Sequence, residues 1–179
     1  MYYAATLNKL YVTNAGSGEC DVYDGSSFRL LRQIDLGGDA DNIHPDLLSS
    51  LLFVSAGNAV SVVDTARDAR LAVISLPGHP EGFALEEHGS RVFINVPLPS
   101  KSVFVVDRAK GAQVSRWSVG GPLANIFSNF PISLDEAHQR LPTAAGARTS
   151  LWVPELDRLY VAVPHRGNQQ AEIRIFAAE

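Results

Sequence analysis

Apolar residues in this chain gather in short clusters rather than at helical spacing. "KLYVTNAG" at 9–16 is echoed by "LLFVSAGN" at 51–58, "RVFINVPL" at 91–98 and "RLYVAVPH" at 158–165. Each cluster is β-branched and aromatic and is bounded by Asn, Gly, Ser or Pro, the chemistry of a strand between turns. Aligned on Tyr11, Phe53, Phe93 and Tyr160, the clusters return at about forty residues, with one longer gap before the last. A second series runs in parallel, in which "VYDG", "VVDT" and "VVDR" end strands at Asp24, Asp64 and Asp107. After each comes a polar turn, then an alternating stretch closed by glycine: "FRLLRQIDLGG", "ARLAVISLPG" and "AQVSRWSVGG".

The unit therefore reads strand, turn, strand, turn, strand, Gly-marked loop, strand. No long amphipathic helix is expected, and "LDEAHQRL" at 134–141 reads as a turn between strands. Four short strands in about forty residues is the pattern of a β-propeller blade, which buries both faces only by stacking against neighbours around an axis. The expected fold is an all-β propeller of about four blades, with repeats near 1–38, 39–78, 79–121 and 122–179. In that frame "KLYVTNAG" and its echoes are each blade's inner strand and exit turn.

Composition narrows the classes. The 179 residues are 46% hydrophobic, which fits one soluble globular domain. No run approaches eighteen apolar residues, so a membrane span is not expected. With 15 Lys+Arg against 19 Asp+Glu and no basic block, nucleic acid is a poor partner. The lone Cys20 excludes an internal disulfide and a cysteine-based zinc knuckle. "MYYAATLNKLYV" lacks the basic and apolar regions of a secretory signal, leaving a cytosolic chain or one with an upstream segment lost.

The "LYVTN" text, the "VYDG" strand and the "DLGGDADNI" run into the next blade resemble the YVTN-repeat propellers over nearly the whole chain. The resemblance implies bacterial or archaeal relatives of about seven blades, often exported. It does not imply one activity, because such blades occur in surface proteins, in lactonase-like enzymes and in domains attached to redox enzymes.

The chain departs from that pattern after "WSVGG". Leu141 aligns with Leu10, Leu52, Val92 and Leu159, yet "PTAAGARTS" follows, and Pro142 cannot donate a ladder hydrogen bond. A unit truncated at 131–149 is expected, with fresh strands in "SLWVPELDRLYVAV". "AEIRIFAAE" matches a third strand, with Ala177 where Asp24, Asp64 and Asp107 stand. Unpaired edges are sticky, so a homo-oligomer is expected. A dimer completing a larger ring is preferred to a tight four-bladed ring or a monomer blunted by residues 142–149.

Loops before the repeated strands would converge on the central channel. Counting back from the anchors places Asp41, Asn42, Glu81 and Arg148 there, with Asn129 from the truncated unit. Such a mouth suits a small polar or ionic ligand, with Arg148 clamping a carboxylate or phosphate; solvated polar residues without a ligand are the alternative. Among the histidines, His44 and His79 fall in equivalent loops and, with Glu81, are the metal candidates. No compact ligand motif supports them, and no cofactor is expected. There is no "GxSxG". Cys20 reads as a small buried hydrophobe, "NAGSGE" as a hairpin turn, Trp117 and Trp152 as strand packing, and the repeated aspartates as turn caps. Three functions stay open: a non-enzymatic binding or protein-interaction propeller, a lactonase-like hydrolase using acidic and His residues at the mouth, and a structural fragment without a ligand. The hydrolase requires carboxylates and histidines within about 5 Å of one another in a pocket.

Overall fold

The computed structural model describes residues 1–118, 144, 147, 149–153 and 156–177. Strands β1 (Tyr2–Ala4), β2 (Lys9–Asn14), β3 (Glu19–Asp24) and β4 (Leu30–Asp35) pair antiparallel in sequence order. The second sheet repeats the plan with β5 (Ala40–Pro45), β6 (Leu51–Ala56), β7 (Ala59–Asp64) and β8 (Ala69–Ser75). The third does so with β9 (Gly82–Leu85), β10 (Arg91–Val96), β11 (Ser102–Asp107) and β12 (Ala112–Ser118). The fourth has β13 (Thr149–Val153), β14 (Arg158–Val163) and β15 (Glu172–Ala177). The protein is an all-β propeller of four blades. Leu141 and Pro142, and with them most of the unit expected at 131–149, lie outside the described residues.

One placement differs from the sequence reading. The "KLYVTN" cluster and its echoes form the second strand of each sheet, not the innermost. The first strands are the short segments just before them, and β5 shows why the pattern hid them. Of its residues only Ala40 is buried, while Asp41, Asn42 and His44 face solvent. β6, in contrast, is buried on both faces. The polar side chains of β5 are why hydrophobic alternation passes over it.

Register shows how the blades stack. Tyr11, Cys20 and Val22 of the first sheet pack in one cluster with Leu52, Val54 and Val63 of the second. Phe53, on the other face of β6, packs with Val60 and Val62 against Val92, Ile94 and Phe104 of the third. Tyr11 and Phe53 therefore turn toward the following sheet, and Leu52, Val54, Val92 and Ile94, which flank the second and third anchors, turn toward the preceding one. Fully burying side chains of this kind contributes about 1.5–3 kcal/mol each. Tyr11 also latches the first two sheets, because its hydroxyl donates to Asp68 (2.7 Å), which pairs with Lys9 (2.5 Å). Between the second and third sheets, Arg108 pairs with Asp46 at 3.3 Å, both side chains 9% exposed.

The two ends of the stack are different. In the fourth sheet Val161 and Val163 are buried, whereas Tyr160 lies on the opposite face beside its cross-strand partners Leu151 and Ile175, 61% and 59% exposed. The first sheet, on the face opposite Tyr11, carries the row Tyr3–Leu10–Tyr23–Leu30, whose ends are 50% and 43% exposed. Among the described residues, both faces leave large apolar side chains in solvent.

The hairpin turns follow local chemistry. Asn14 accepts from the backbone N–H of Gly16 and Ser17, so "NAGSGE" is a hairpin turn. Asp24, Asp64 and Asp107 each accept from backbone N–H groups two and three residues on. Cys20 is fully buried. Trp117 is half-exposed and covers Phe93, with ring centroids 5.3 Å apart.

Candidate functional site at the first-strand entrances

Among the described residues, two connections carry the chain from an outer strand to the next blade's first strand: Leu36–Asp39 before β5, and Leu76–Glu81 before β9. Both pack closely on hairpin turns. A Cβ on Gly18, in the β2–β3 turn, would lie 2.6 Å from the Gly38 backbone, and one on Gly78 would collide with the Leu98 carbonyl oxygen. The β6–β7 turn ties the two connections together. Gly57 donates its N–H to the Asp39 carbonyl (3.2 Å), and its own carbonyl accepts from His79 Nδ1 (2.7 Å).

This scaffold brings Asp39, Asp41 and His79 together, with donor atoms all within 4.8 Å of one another. His79 Nε2 lies 2.9 Å from Asp41 Oδ2 and 3.9 Å from Asp39 Oδ2. Burial lowers the His79 pKa, but the Asp41 hydrogen bond, the Gly57 carbonyl and the two carboxylate charges outweigh it, so the net shift is upward. Glu81, half-buried before β9, is pushed up by burial; His79 opposes that shift, and Asp41 and Asp39 add to it. The backbone around the cluster is held. The Thr13 hydroxyl donates to the Asp41 carbonyl (2.6 Å), and the Glu81 N–H donates to the Asn95 carbonyl (3.1 Å).

Of the residues singled out from sequence, Asp41 joins this cluster and Glu81 is coupled to it. Asn42 fixes the frame, since its side-chain amide donates to the Glu81 carbonyl (2.9 Å) and its N–H donates to Ser55 Oγ (2.9 Å). Asn129 and Arg148 lie outside the described residues. His44 does not accompany His79. It sits at the far end of β5, with its ring edge-on to Phe83 at 4.8 Å. There it lines a cleft of about 260 Å³ with Pro45, Leu85, Glu86, Glu87 and Arg108. The structure thus brings Asp39 and Asp41, rather than His44, to His79. The missed residue, Asp39, had a signal: in "DAD", two aspartates flank a buried Ala40, and such alternation puts both on one side of an extended chain.

No protein-family model matches the sequence, and no curated protein matches it. Solved structures do match. Hydrazine synthase from Kuenenia stuttgartiensis is similar over 96% of this chain and 48% of its own, with TM-score 0.60 and 17% identity. Apo AztD from Citrobacter koseri is similar over 63% of this chain and 33% of its own, with TM-score 0.53 and 13% identity. The dihydro-heme d1 dehydrogenase NirN, in complex with DHE, is similar over 62% of this chain and 27% of its own, with TM-score 0.52 and 14% identity. All are β-propeller-type proteins, and at these identities the likeness establishes the fold alone. The chain spans about half the length of the hydrazine synthase chain it matches.

Proposed function

We propose that this chain is a non-enzymatic binding propeller of the YVTN-repeat type, whose rigid blades present a preformed polar mouth to a small polar or ionic ligand. The observation that carries this reading is the convergence of Asp39, Asp41, His79 and Glu81 from two successive blades, on backbone pinned by Gly57 and Asn42. The lactonase-like alternative gains the carboxylate–histidine pairing it requires but not the enclosure, because the Asp39 and Asp41 side chains are 59% and 38% exposed. A fragment without a ligand would have no reason to gather like charges at one spot. The test is a thermal-shift screen of metal ions, small carboxylates, phosphates and amines, since a ligand of the native state raises Tm. Shifts abolished by Asn42→Ala or Glu81→Gln support the reading. Turnover of a lactone that is lost in His79→Gln would replace it with the hydrolase.

A second copy of the chain is the partner this reading adds. Inside the molecule, the Tyr11 and Phe53 faces are covered by the back of the following sheet. The partly exposed Leu151–Tyr160–Ile175 and Tyr3–Leu10–Tyr23–Leu30 rows suit the two halves of one such contact. Two copies related by a two-fold axis satisfy both at once in a ring of eight blades, within the usual propeller range. Light scattering on a sizing column reads the mass directly. A dimer that Ile175→Glu converts to monomer is expected, and a monomer at every concentration would remove this partner.

A further inference from the structure

We infer that Asp39, Asp41 and His79 form a site for one divalent transition-metal ion of the zinc class, a proposal that rests on the binding reading above and names its ligand. The argument begins at the imidazole. Nδ1 faces the Gly57 carbonyl, which can only accept, so Nδ1 carries a proton. Nε2 faces Asp41 Oδ2 at 2.9 Å, and a carboxylate oxygen is also an acceptor. In the neutral ring two lone pairs would oppose each other there. Something positive must lie between them, either a second proton or a metal ion.

Three further features favour the ion as the functional occupant. A histidine that donates its other N–H to a backbone carbonyl is the usual support of a metal-bound imidazole, because that bond fixes tautomer and ring direction. The spacing fits as well. Donors bound to one ion at about 2.0–2.2 Å lie roughly 3–3.5 Å apart. His79 Nε2 lies 2.9 Å from Asp41 and 3.9 Å from Asp39, and all three donors lie within 4.8 Å of one another. A small inward movement of Asp39, the more exposed carboxylate, closes the set. Finally, two carboxylates, Asp39 and Asp41, face the single imidazole of His79, so the cluster gathers more acidic than basic groups at one spot. A dication meets that surplus, and a mixed oxygen and imidazole set suits zinc, cobalt or manganese. Open exposure on the Asp39 side leaves room for water to complete the coordination.

The experiment is titration of the intact, metal-stripped chain with Zn²⁺ by calorimetry, and with Co²⁺ by visible absorption. Circular dichroism melts check that each variant is folded. One ion per chain is expected, with affinity falling at least about 100-fold in His79→Gln and in Asp41→Asn, and with cobalt ligand-field bands absent from both. The ¹⁵N spectrum of the His79 ring should keep Nδ1–H and shift at Nε2 on zinc addition. Zinc binding unchanged by both substitutions overturns the proposal, and so does a His79 ring that stays doubly protonated with zinc in excess. If metals fail but a carboxylate or amine still raises Tm through Asn42 and Glu81, this inference falls and the binding reading stands. If no compound binds at the mouth, both fall.

Discussion

Phe53 and Tyr160 occupy equivalent positions of the repeat, yet the blade stack treats them differently, and Phe53→Ala against Tyr160→Ala measures that difference. Phe53 is 1% exposed and packs with Val60, Val62, Val92 and Ile94. Truncating it removes the transfer contribution and leaves a cavity between two sheets that backbone ladders hold apart, so about 3–5 kcal/mol is lost. Against a total of about 5–15 kcal/mol, that is a large part of the fold's stability. Tyr160 is half-buried, and its row partners Leu151 and Ile175 are about 60% exposed. No cavity closes over it, and roughly half of a full burial contribution, about 1 kcal/mol, is at stake. Urea melts followed by circular dichroism, repeated over a concentration series, separate the two. Phe53→Ala should lower the midpoint equally at every concentration with the slope unchanged. Tyr160→Ala should cost little in dilute solution and more as the wild type associates. Equal costs at the lowest concentration would refute the assignment of covered and uncovered anchor faces.

Three further outcomes follow from single residues. Burial, chiefly, and the neighbouring Asp21 charge push the Cys20 thiol up to about 12, so a thiol reagent should label the native protein only at its unfolding rate; fast labelling would contradict the packed first sheet. Gly78→Ala drives a methyl group into the Leu98 carbonyl and should destabilise by about 1–3 kcal/mol, while weakening any ligand held through His79; an unchanged Tm would mean that connection is free to shift. The carboxyls of Asp24, Asp64 and Asp107 are held below their ordinary 3.8, by the Ser27 N–H, the Arg67 side chain and the Lys110 N–H respectively. Folded values below unfolded ones give stability that is present above pH 4 and lost as pH falls through the folded values. The triple Asp→Asn variant should therefore show a flatter stability profile between about pH 5 and 2.

The sequence made the repeat and its middle strands legible because those segments are buried on one or both faces and so alternate or run apolar. "LLFVSA" and "AVSVVD" could be little else. The same logic hid β5. "ADNIHP" reads as a loop because its side chains point into solvent near the axis, and only its ladder bonds to β6 make it a strand. Half of the candidate site was visible for a related reason. Asp41 and Glu81 were reachable by counting along the repeat, since equivalent loops must occupy equivalent places. His79 was set beside the wrong histidine, because counting along one strand does not say which end of the blade a residue serves. His44 and Asp41 are three residues apart on β5, about 10 Å along an extended chain, and so attend opposite mouths of the propeller.

That separation also bears on which face of the molecule works. At the His44 end, the ion pairs are made in place, Arg108 with Asp46 and Arg91 with Glu86, and Glu87 stands apart from them in solvent. At the Asp41 end, Asp39 and Asp41 share one histidine, and Glu81 adds to their charge rather than offsetting it. Stability alone favours the first arrangement, since gathered like charges destabilise a fold unless something of opposite sign joins them. Asp39→Asn tests the point without touching the strand ladders. If the cluster is a structural accident, removing one of its charges should raise Tm by relieving repulsion and change nothing else. If the cluster exists to hold a cation, the metal-free protein should again gain stability, but the rise in Tm on adding zinc should shrink. A variant that gains stability and keeps the full zinc response would place the ion elsewhere and leave the crowding of acids at this mouth without a purpose.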